Sequence, residues 1–307
     1  MARKRSKKVE SELEEEVIED KTIIKRRRSR ATKKTPIAFK LRQKFSIKSS
    51  LILLFIIIII FVLSLKIFSN SEEKEEIDLA SYNVKIICLT PNHEVDAGNS
   101  TDFIIIAKNL GKSEDRIKLS CKGMQKDWKV KFDKNNVKTM PKKSFVSILN
   151  VTVSNSHIGE KFPLVVYATS QHNSSKQDSL IISLEIKSFG SKKVKNGDKI
   201  SVDYIGCYAT NGTIFDTSME EIGINDNLTF SSDFDERRLD KDYSLLEFTV
   251  GKEEMIKGFD KAVVGMKICE TKAVRIPPKD AYGELGESSH PLAGETLIFE
   301  IILKKIK

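Results

Sequence analysis

The side chains best suited to nucleophilic, redox or metal chemistry are four cysteines, Cys88, Cys121, Cys207 and Cys269. No two of them have Cys-x-x-Cys spacing and no histidine clusters with them, so the sequence argues against a zinc site. The even count permits Cys88–Cys121 and Cys207–Cys269 disulfides in an oxidising compartment, and four buried thiols are the alternative. We therefore expect no metal and no cofactor.

The positive charge of the chain is concentrated at its start. Residues 1–48 contain 17 of the 52 basic and 7 of the 43 acidic residues, so the remaining 35 and 36 nearly balance. A basic segment can indicate nucleic-acid binding, but one beside an apolar run is more typical of membrane orientation. We interpret residues 1–48 as a basic cytoplasmic tail and expect no nucleic-acid partner.

An uncharged run, SSLILLFIIIIIFVLSL, follows this tail. It predicts a single N-terminal transmembrane helix, a signal anchor over residues 49–68 in contact with membrane lipid. The positive-inside rule then predicts a single-pass protein of the cell membrane whose C-terminal domains are extracytoplasmic. Five Asn-x-Ser/Thr sequons on that side give weak support, at Asn99, Asn150, Asn173, Asn211 and Asn227.

Two further segments lie between this run and residue 187. Residues 69–82 are a charged linker, and residues 83–187 contain seven short runs rich in β-branched residues, separated by turns. This spacing predicts an all-β, immunoglobulin-like sandwich with Trp128 in its core. Since it carries no convergent carboxylates, histidines or glycine-rich loop, we expect a spacer or protein-contact module.

The last segment, residues 194–307, alternates strand patterns with one short helix. Ile256, Phe259, Val263 and Met266 recur at the three- and four-residue spacing of a helix face. This predicts an α+β domain in which an antiparallel sheet wraps the helix. A polar insertion at 217–243 predicts a solvated bulge, with a partner contact as the less favoured alternative.

Five motifs in this segment occur together and in order: VDYIG, GTIFDTS, FTVGKEEMIKGFDKAVVGM, IPPKDAYG and LAGETLIFEI. The segment thereby resembles the FKBP-type peptidyl-prolyl cis/trans isomerases. The long insertion and the HPLAG phrase are most similar to the archaeal branch and its bacterial SlyD-like relatives. The chaperone domain that those relatives insert after A-Y-G is missing, because a short loop joins the last two motifs.

The resemblance implies an apolar pocket that binds a proline ring. It assigns catalytic roles to Tyr204, Phe215, Asp216, Tyr282 and Phe299, and substrate-binding roles to Leu246, Met255, Ile256 and Phe259. Asp216 would lie at the rim, orienting Tyr204 or polarising the twisted amide carbonyl. The Tyr282 hydroxyl and the Ile256 backbone N–H would hold substrate carbonyls.

These implications predict a membrane-anchored prolyl isomerase that assists the folding of extracytoplasmic proteins. Its partners would be unfolded or proline-containing polypeptides. The alternative is a non-catalytic proline-binding chaperone or assembly module that uses the same pocket. That alternative rests on Leu246, which stands where the family has an aromatic wall, and on the missing chaperone insert.

Overall fold

A computed structural model describes residues 79–286 and 288–307. Its first half consists of nine strands in two sheets, of order β1-β3-β7-β5 and β2-β9-β8-β4-β6, whose pairings are antiparallel except for β2–β9. The strands are β1 (Val84–Cys88), β2 (Asn92–Asp96), β3 (Ser100–Asn109), β4 (Asp115–Lys122), β5 (Lys129–Phe132), β6 (Asn136–Thr139), β7 (Ser144–Thr152), β8 (Lys161–Ser170) and β9 (Gln177–Lys187).

The two sheets pack face to face because their strands alternate between buried and exposed positions. On β8, Leu164, Val166 and Ala168 are fully buried while the residues between them are partly exposed. This period of two places one row of side chains in the core between the sheets. Trp128 is buried in the same core, and its ring meets that of Phe162 edge-on at 5.1 Å.

Five more strands and three short helices form the C-terminal domain. The sheet has the order β11-β10-β14-β13, with β12 paired to the first half of β10. Its elements are β10 (Lys199–Tyr208), β11 (Ile214–Thr217), α1 (Glu220–Gly223), α2 (Ser232–Asp235), β12 (Leu246–Thr249), α3 (Lys257–Val263), β13 (Thr271–Ile276) and β14 (Leu297–Ile306). Helix α3 packs on one face of the sheet through Phe259, Ala262 and Val263.

The other face of this sheet is covered by the sandwich. Ile205, Cys207 and Ile298 form one buried cluster with Ile104 and Ile106 of β3. Strand β3 is therefore buried on both sides, since Phe103 and Ile105 belong to the sandwich core. A continuous apolar run on a strand is typical of burial on both faces.

Polar contacts between the two domains surround this apolar cluster. Asp102 of β3 accepts a hydrogen bond from the backbone N–H of Ala273 at 3.0 Å. Arg275 donates to Asp133 at 2.8 Å. Lys267 donates to Asp96 at 2.5 Å. The two domains thus share a buried interface, and α3 lies on the opposite face of the C-terminal sheet.

The insertion at 217–243 is more than the solvated bulge that its composition predicts. Phe234 of α2 is fully buried and Ile222 of α1 is 5% exposed, and both join the apolar cluster under the sheet. The fit is close, because a Cβ on Gly223 would lie 1.8 Å from the Tyr243 hydroxyl oxygen. Two apolar anchors therefore fix a segment whose other residues are mostly polar.

The predicted fold class is corrected in its first element. Strands far outnumber helices in the described residues, and no helix among them is long and apolar enough to cross a membrane. Their longest helix, α3, has seven residues, which rise about 10 Å against a bilayer core of about 30 Å. The predicted span, 49–68, lies outside the described residues, as does the predicted tail, 1–48.

Strands β1–β9 lie within residues 83–187 and strands β10–β14 within residues 194–307, the ranges that the sequence assigned to the two domains. All four cysteines lie in the described residues, and each is a free thiol. The disulfide alternative therefore has no counterpart in the structure.

Candidate active site

A pocket of about 320 Å³ opens between the C-terminal sheet, the N-terminal end of α3 and the loop before β14. All nine residues that the sequence assigned to a proline pocket line it: Tyr204, Phe215, Asp216, Leu246, Met255, Ile256, Phe259, Tyr282 and Phe299. They come from six separate stretches of chain, so the fold gathers them.

Three phenylalanine rings form the floor of the pocket. The Phe299 ring meets those of Phe259 at 5.2 Å and Phe215 at 5.5 Å, both in edge-to-face geometry. Such pairs are favourable beyond their burial, since a positive ring edge faces a negative ring face. A floor built in this way offers an apolar surface.

The close approach of two of these rings depends on a glycine. Gly206 of β10 lies opposite Phe299 of β14 in the strand register. A Cβ at this position would lie 2.6 Å from the Phe215 ring and 3.0 Å from the Phe299 ring. The absence of a side chain at Gly206 therefore lets both rings cover the strand.

A charged cluster lies at one rim of the pocket. The Tyr204 hydroxyl donates to Asp216 Oδ2 at 2.5 Å, and Lys241 Nζ donates to Asp216 Oδ1 at 2.6 Å. Arg237 approaches the same oxygen at 3.6 Å. Burial, and then the charge of Asp216, hold the pKa of Tyr204 far above its usual range. The hydroxyl of Tyr204 is therefore a fixed hydrogen-bond donor.

Tyr282 forms another wall of the pocket. Its ring stacks flat on His290, with ring centroids 3.8 Å apart. Burial and the nearby Asp216 charge raise the pKa of Tyr282. Among the described residues its hydroxyl has no hydrogen-bond partner, so it can donate to a bound molecule.

The last wall is formed by the start of α3 and the start of β12. Ile256 caps α3, and its carbonyl accepts from the N–H groups of Phe259 and Asp260. Its own N–H donates to no other described residue, which leaves one backbone donor at the pocket. Leu246 and Met255 complete this side with aliphatic surface.

Several lining residues escaped the sequence analysis. The insertion supplies Ser231, Asp233 and Arg237, and the loop before β14 supplies Pro291 and Leu292. No family motif covers the insertion, so only one signal was available. A carboxylate beside an apolar pocket needs a compensating cation, and the first basic residues that follow Asp216 along the chain are those of DERRLDK.

This site provides aromatic surface, fixed hydrogen-bond donors and a neutralised carboxylate. Within 79–286 and 288–307 no three histidine, cysteine or acidic side chains are grouped as metal ligands. The arrangement suits the binding and reorientation of an uncharged group that carries carbonyl acceptors.

Comparison with known proteins identifies the class. The family described as FKBP-type peptidyl-prolyl cis-trans isomerase matches residues 190–304. FK506-binding protein 1A of Neurospora crassa is 32% identical over 130 residues, which are 42% of this chain and 90% of that protein. The chain therefore belongs to the FKBP-type peptidyl-prolyl cis-trans isomerase family.

Two further comparisons set the extent of the likeness. The short-type peptidyl-prolyl cis-trans isomerase of Methanocaldococcus jannaschii is 36% identical over 108 residues, which are 35% of this chain and 57% of that protein. A solved FixG-related protein from Vibrio parahaemolyticus overlaps 35% of this chain and 97% of its own at 12% identity, with a TM-score of 0.28. That score is too low to support an inference.

Proposed function

We propose that the protein accelerates cis/trans isomerisation of Xaa-Pro bonds in unfolded or otherwise flexible polypeptides. One observation carries the proposal: an apolar pocket closed by three phenylalanine rings meets a Tyr204–Asp216 hydrogen bond at its rim. Family membership supports this activity, and the roles given below to individual side chains are part of the same proposal.

The chemistry needs no nucleophile. Rotation of a prolyl amide breaks its resonance against a barrier of about 18–20 kcal/mol, and no bond to the enzyme forms. In the planar ground state the amide carbonyl is polarised and well solvated. A dry aromatic pocket for the proline ring removes that solvation, which costs the planar form more than the twisted form.

The hydrogen-bond donors act on the carbonyls next to the rotating bond. The Ile256 N–H and the Tyr282 hydroxyl hold substrate carbonyls, so the chain is anchored while the amide turns. The Tyr204 hydroxyl is committed to Asp216, which keeps the rim polar and fixed. Donors already in place cost no reorganisation in the transition state.

The direct test is prolyl exchange in a short Xaa-Pro peptide, measured with the full chain and with an Asp216→Asn variant. We expect acceleration by the parent and a loss of about tenfold in kcat/KM in the variant, since a charge-assisted contact is worth about 1.4 kcal/mol or more. Asp240→Asn, an exposed aspartate of the same insertion, is the matched control. No acceleration by the parent would refute the proposal.

A binding module without turnover is the second candidate, and Leu246 favours it. This aliphatic side chain leaves the pocket wall thinner than an aromatic ring would. If the parent binds unfolded chains without accelerating exchange, this candidate replaces the first. A Leu246→Phe variant that gains turnover would identify the wall as the cause.

The extracytoplasmic location is also a proposal. It is supported by the charge asymmetry of the chain and by two of the five sequons, since Asn211 and Asn227 are exposed. Asn173 is buried, and the amides of Asn99 and Asn150 donate to neighbouring carboxylates. A membrane-impermeant amine reagent should label the protein in intact cells. Labelling only after lysis would contradict this location.

A further inference from the structure

A buried polar chain crosses the interface between the sandwich and the C-terminal sheet. It begins at Glu300 of β14, whose side chain is 1% exposed, and runs through Thr90 and His93 of the sandwich. It ends at Thr101 of β3, which meets the carbonyl of Thr271 on β13. None of these residues belongs to the pocket.

The hydrogen bonds in this chain limit where its protons can lie. Thr90 donates its hydroxyl proton to Glu300 Oε1, and Thr101 donates its own to the Thr271 carbonyl at 3.4 Å. The imidazole of His93 lies between the two hydroxyl oxygens, with Nε2 2.8 Å from Thr90 and Nδ1 3.0 Å from Thr101. Each hydroxyl has only one proton to give. With Thr90 donating to an ionised Glu300 and Thr101 donating to Thr271, both ring nitrogens of His93 are left to donate.

An imidazole that donates from both nitrogens is a cation. Two further contacts suit that charge: the Glu300 carboxylate is 3.8 Å from Nε2, and the Phe103 ring lies flat against the imidazole at 4.0 Å. A cation over an aromatic face is favourable. The pair is then a buried ion pair with no net charge.

One other arrangement satisfies the same contacts. If Glu300 carries the proton, it donates to Thr90, Thr90 donates to His93, and a neutral His93 donates to Thr101. The chain then holds the same number of protons and again has no net charge. Glu300 Oε2 has no hydrogen-bond partner among the described residues, and this arrangement tolerates that better than an ionised carboxylate.

We propose that His93 and Glu300 hold one proton in common across the domain interface, and that this neutral pair positions β14 and the pocket residue Phe299. The effect on catalysis rests on the proposed isomerase function, whereas the shared proton does not. His93 and Glu300 are positioning residues, because neither touches the pocket.

The surroundings explain why the pair must be neutral. Asp102 is largely buried on β3, and burial raises its pKa, to which the charge of Glu300 adds. The thiols of Cys88 and Cys207 also face the pair, and burial raises the pKa of each. Of the cations on β13, Lys272 acts on Asp102 and Arg275 pairs with Asp133. Loss of the shared proton would leave an uncompensated negative charge in this setting.

The route from the pair to the pocket is short. Side chains of a strand alternate between its two faces, so Glu300 faces the sandwich while Phe299 and Ile301 face the pocket side. The Phe299 ring, carried by β14, packs against the other two rings of the floor, Phe215 and Phe259. A shift of β14 at Glu300 therefore moves the floor of the pocket.

The shared proton has a defined effect on stability against pH. An unfolded histidine loses its proton at about pH 6.5 and an unfolded glutamate at about pH 4.3. Above about pH 6.5 the folded pair holds one proton more than the unfolded chain, so stability falls as pH rises. Below about pH 4.3 it holds one fewer, so stability falls as pH drops.

The test is denaturant unfolding of the full chain from pH 5 to pH 9, for the parent and for Glu300→Gln. We expect the folding equilibrium constant of the parent to fall up to about tenfold per pH unit above about pH 6.5 from this pair. Glutamine keeps the acceptor for Thr90 but carries no charge, so this fall should be absent in the variant. An unchanged pH dependence in Glu300→Gln would overturn the shared proton.

Two of the other histidines serve as controls. His157 is partly exposed and pairs with exposed Glu160, so His157→Gln should leave the pH dependence intact. His172 pairs with the buried Asp115, so the parent and Glu300→Gln are also compared with each other in a His172→Asn background. Ring nitrogen chemical shifts of His93 then distinguish the two arrangements. A neutral His93 beside an ionised Glu300 would refute both.

Prolyl exchange tests the link to Phe299. We expect Glu300→Ala to lower kcat/KM about tenfold and Glu300→Gln to keep it within about twofold of the parent at pH 6, where both remain folded. Equal losses in the two variants would overturn the positioning role. If the parent shows no exchange activity, the proposed function fails while the unfolding experiment still decides the shared proton.

Discussion

The hydroxyl of Tyr204 donates to Oδ2 of Asp216 at 2.5 Å, from one strand of the C-terminal sheet to its neighbour. The other carboxylate oxygen receives Lys241 from the insertion. Both oxygens of Asp216 are therefore engaged before any substrate arrives. This places a polar but electrically balanced rim beside an apolar floor, and the first predictions follow from it.

Removing the Tyr204 hydroxyl should weaken catalysis without unfolding the protein. Tyr204→Phe keeps the ring that contributes to the pocket but leaves Asp216 Oδ2 without its donor. We expect kcat/KM for prolyl exchange to fall about tenfold, since hydrogen bonds to charged groups are worth about 1.5–3 kcal/mol. Tyr167→Phe, in the sandwich, should change nothing. An unaltered rate in Tyr204→Phe would remove this hydroxyl from the mechanism.

The pH dependence of Tyr204 follows from its surroundings. Because burial and the Asp216 charge raise its pKa, the folded protein keeps the hydroxyl protonated where an unfolded tyrosine ionises, near about pH 10. The stabilising effect is complete below that pH and is lost as the pH rises above it. In a tyrosinate absorbance titration, we expect the parent and Tyr204→Phe to show the same number of tyrosines that ionise near pH 10, because Tyr204 is not one of them in the parent. The loss of one such group would contradict this prediction.

The counter-ion of Asp216 is the clearest test of the insertion. Lys241 is 18% exposed and lies 2.6 Å from the carboxylate, whereas Arg237 is 50% exposed and 3.6 Å away. Lys241→Met should therefore leave Asp216 poorly compensated and lower kcat/KM several-fold. Lys252→Met, at an exposed turn, is the control. If Lys241→Met behaves like that control, Arg237 alone is sufficient.

The floor of the pocket is tested at Gly206, where a single methyl group is enough. Gly206→Ala places a Cβ within 3.0 Å of both the Phe215 and Phe299 rings, so the rings must move or the strand must shift. We expect a loss of about 1–3 kcal/mol in the free energy of unfolding. We also expect at least a tenfold fall in kcat/KM. Gly190→Ala, which meets no atom within 4 Å, should affect neither.

How much the sequence could predict differs between the pocket and its surroundings. Eight of the nine pocket residues lie in motifs with fixed spacing, and Leu246 stands two residues before one of them, so a family resemblance is enough to assign them. Lys241 and Arg237 lie in an insertion that no motif covers, and only a three-dimensional fold brings them to Asp216. Composition indicated a solvated bulge there, but two buried side chains, Phe234 and Ile222, outweigh many polar neighbours in fixing the segment.

The packing of the sandwich against the C-terminal sheet could not be predicted from the sequence either. The run FIIIA, 103–107, indicates a strand buried on both faces, but a strand pattern does not state what covers each face. The partner surface, with Ile205, Cys207 and Ile298, is also a sequence of ordinary buried strand residues. The residue that sets this surface apart is Glu300, a charged residue within LIFEII. The family resemblance assigned no role to Glu300, because it lies outside the pocket.

The reactivity of Cys207 toward a thiol reagent reports on the interface between the sandwich and the C-terminal sheet, where this residue is buried. Burial, and then the charge of Glu300, raise the pKa of Cys207 to about 12, so at pH 8 about one thiol in ten thousand is ionised. Since the thiolate is the reactive form, Cys207 should resist a thiol reagent in the folded protein and react fully on unfolding. A variant with serine at Cys88, Cys121 and Cys269 isolates this signal. Fast labelling of that variant would show that the sandwich leaves the sheet, and fewer than four thiols in the unfolded, unreduced parent would reveal a disulfide.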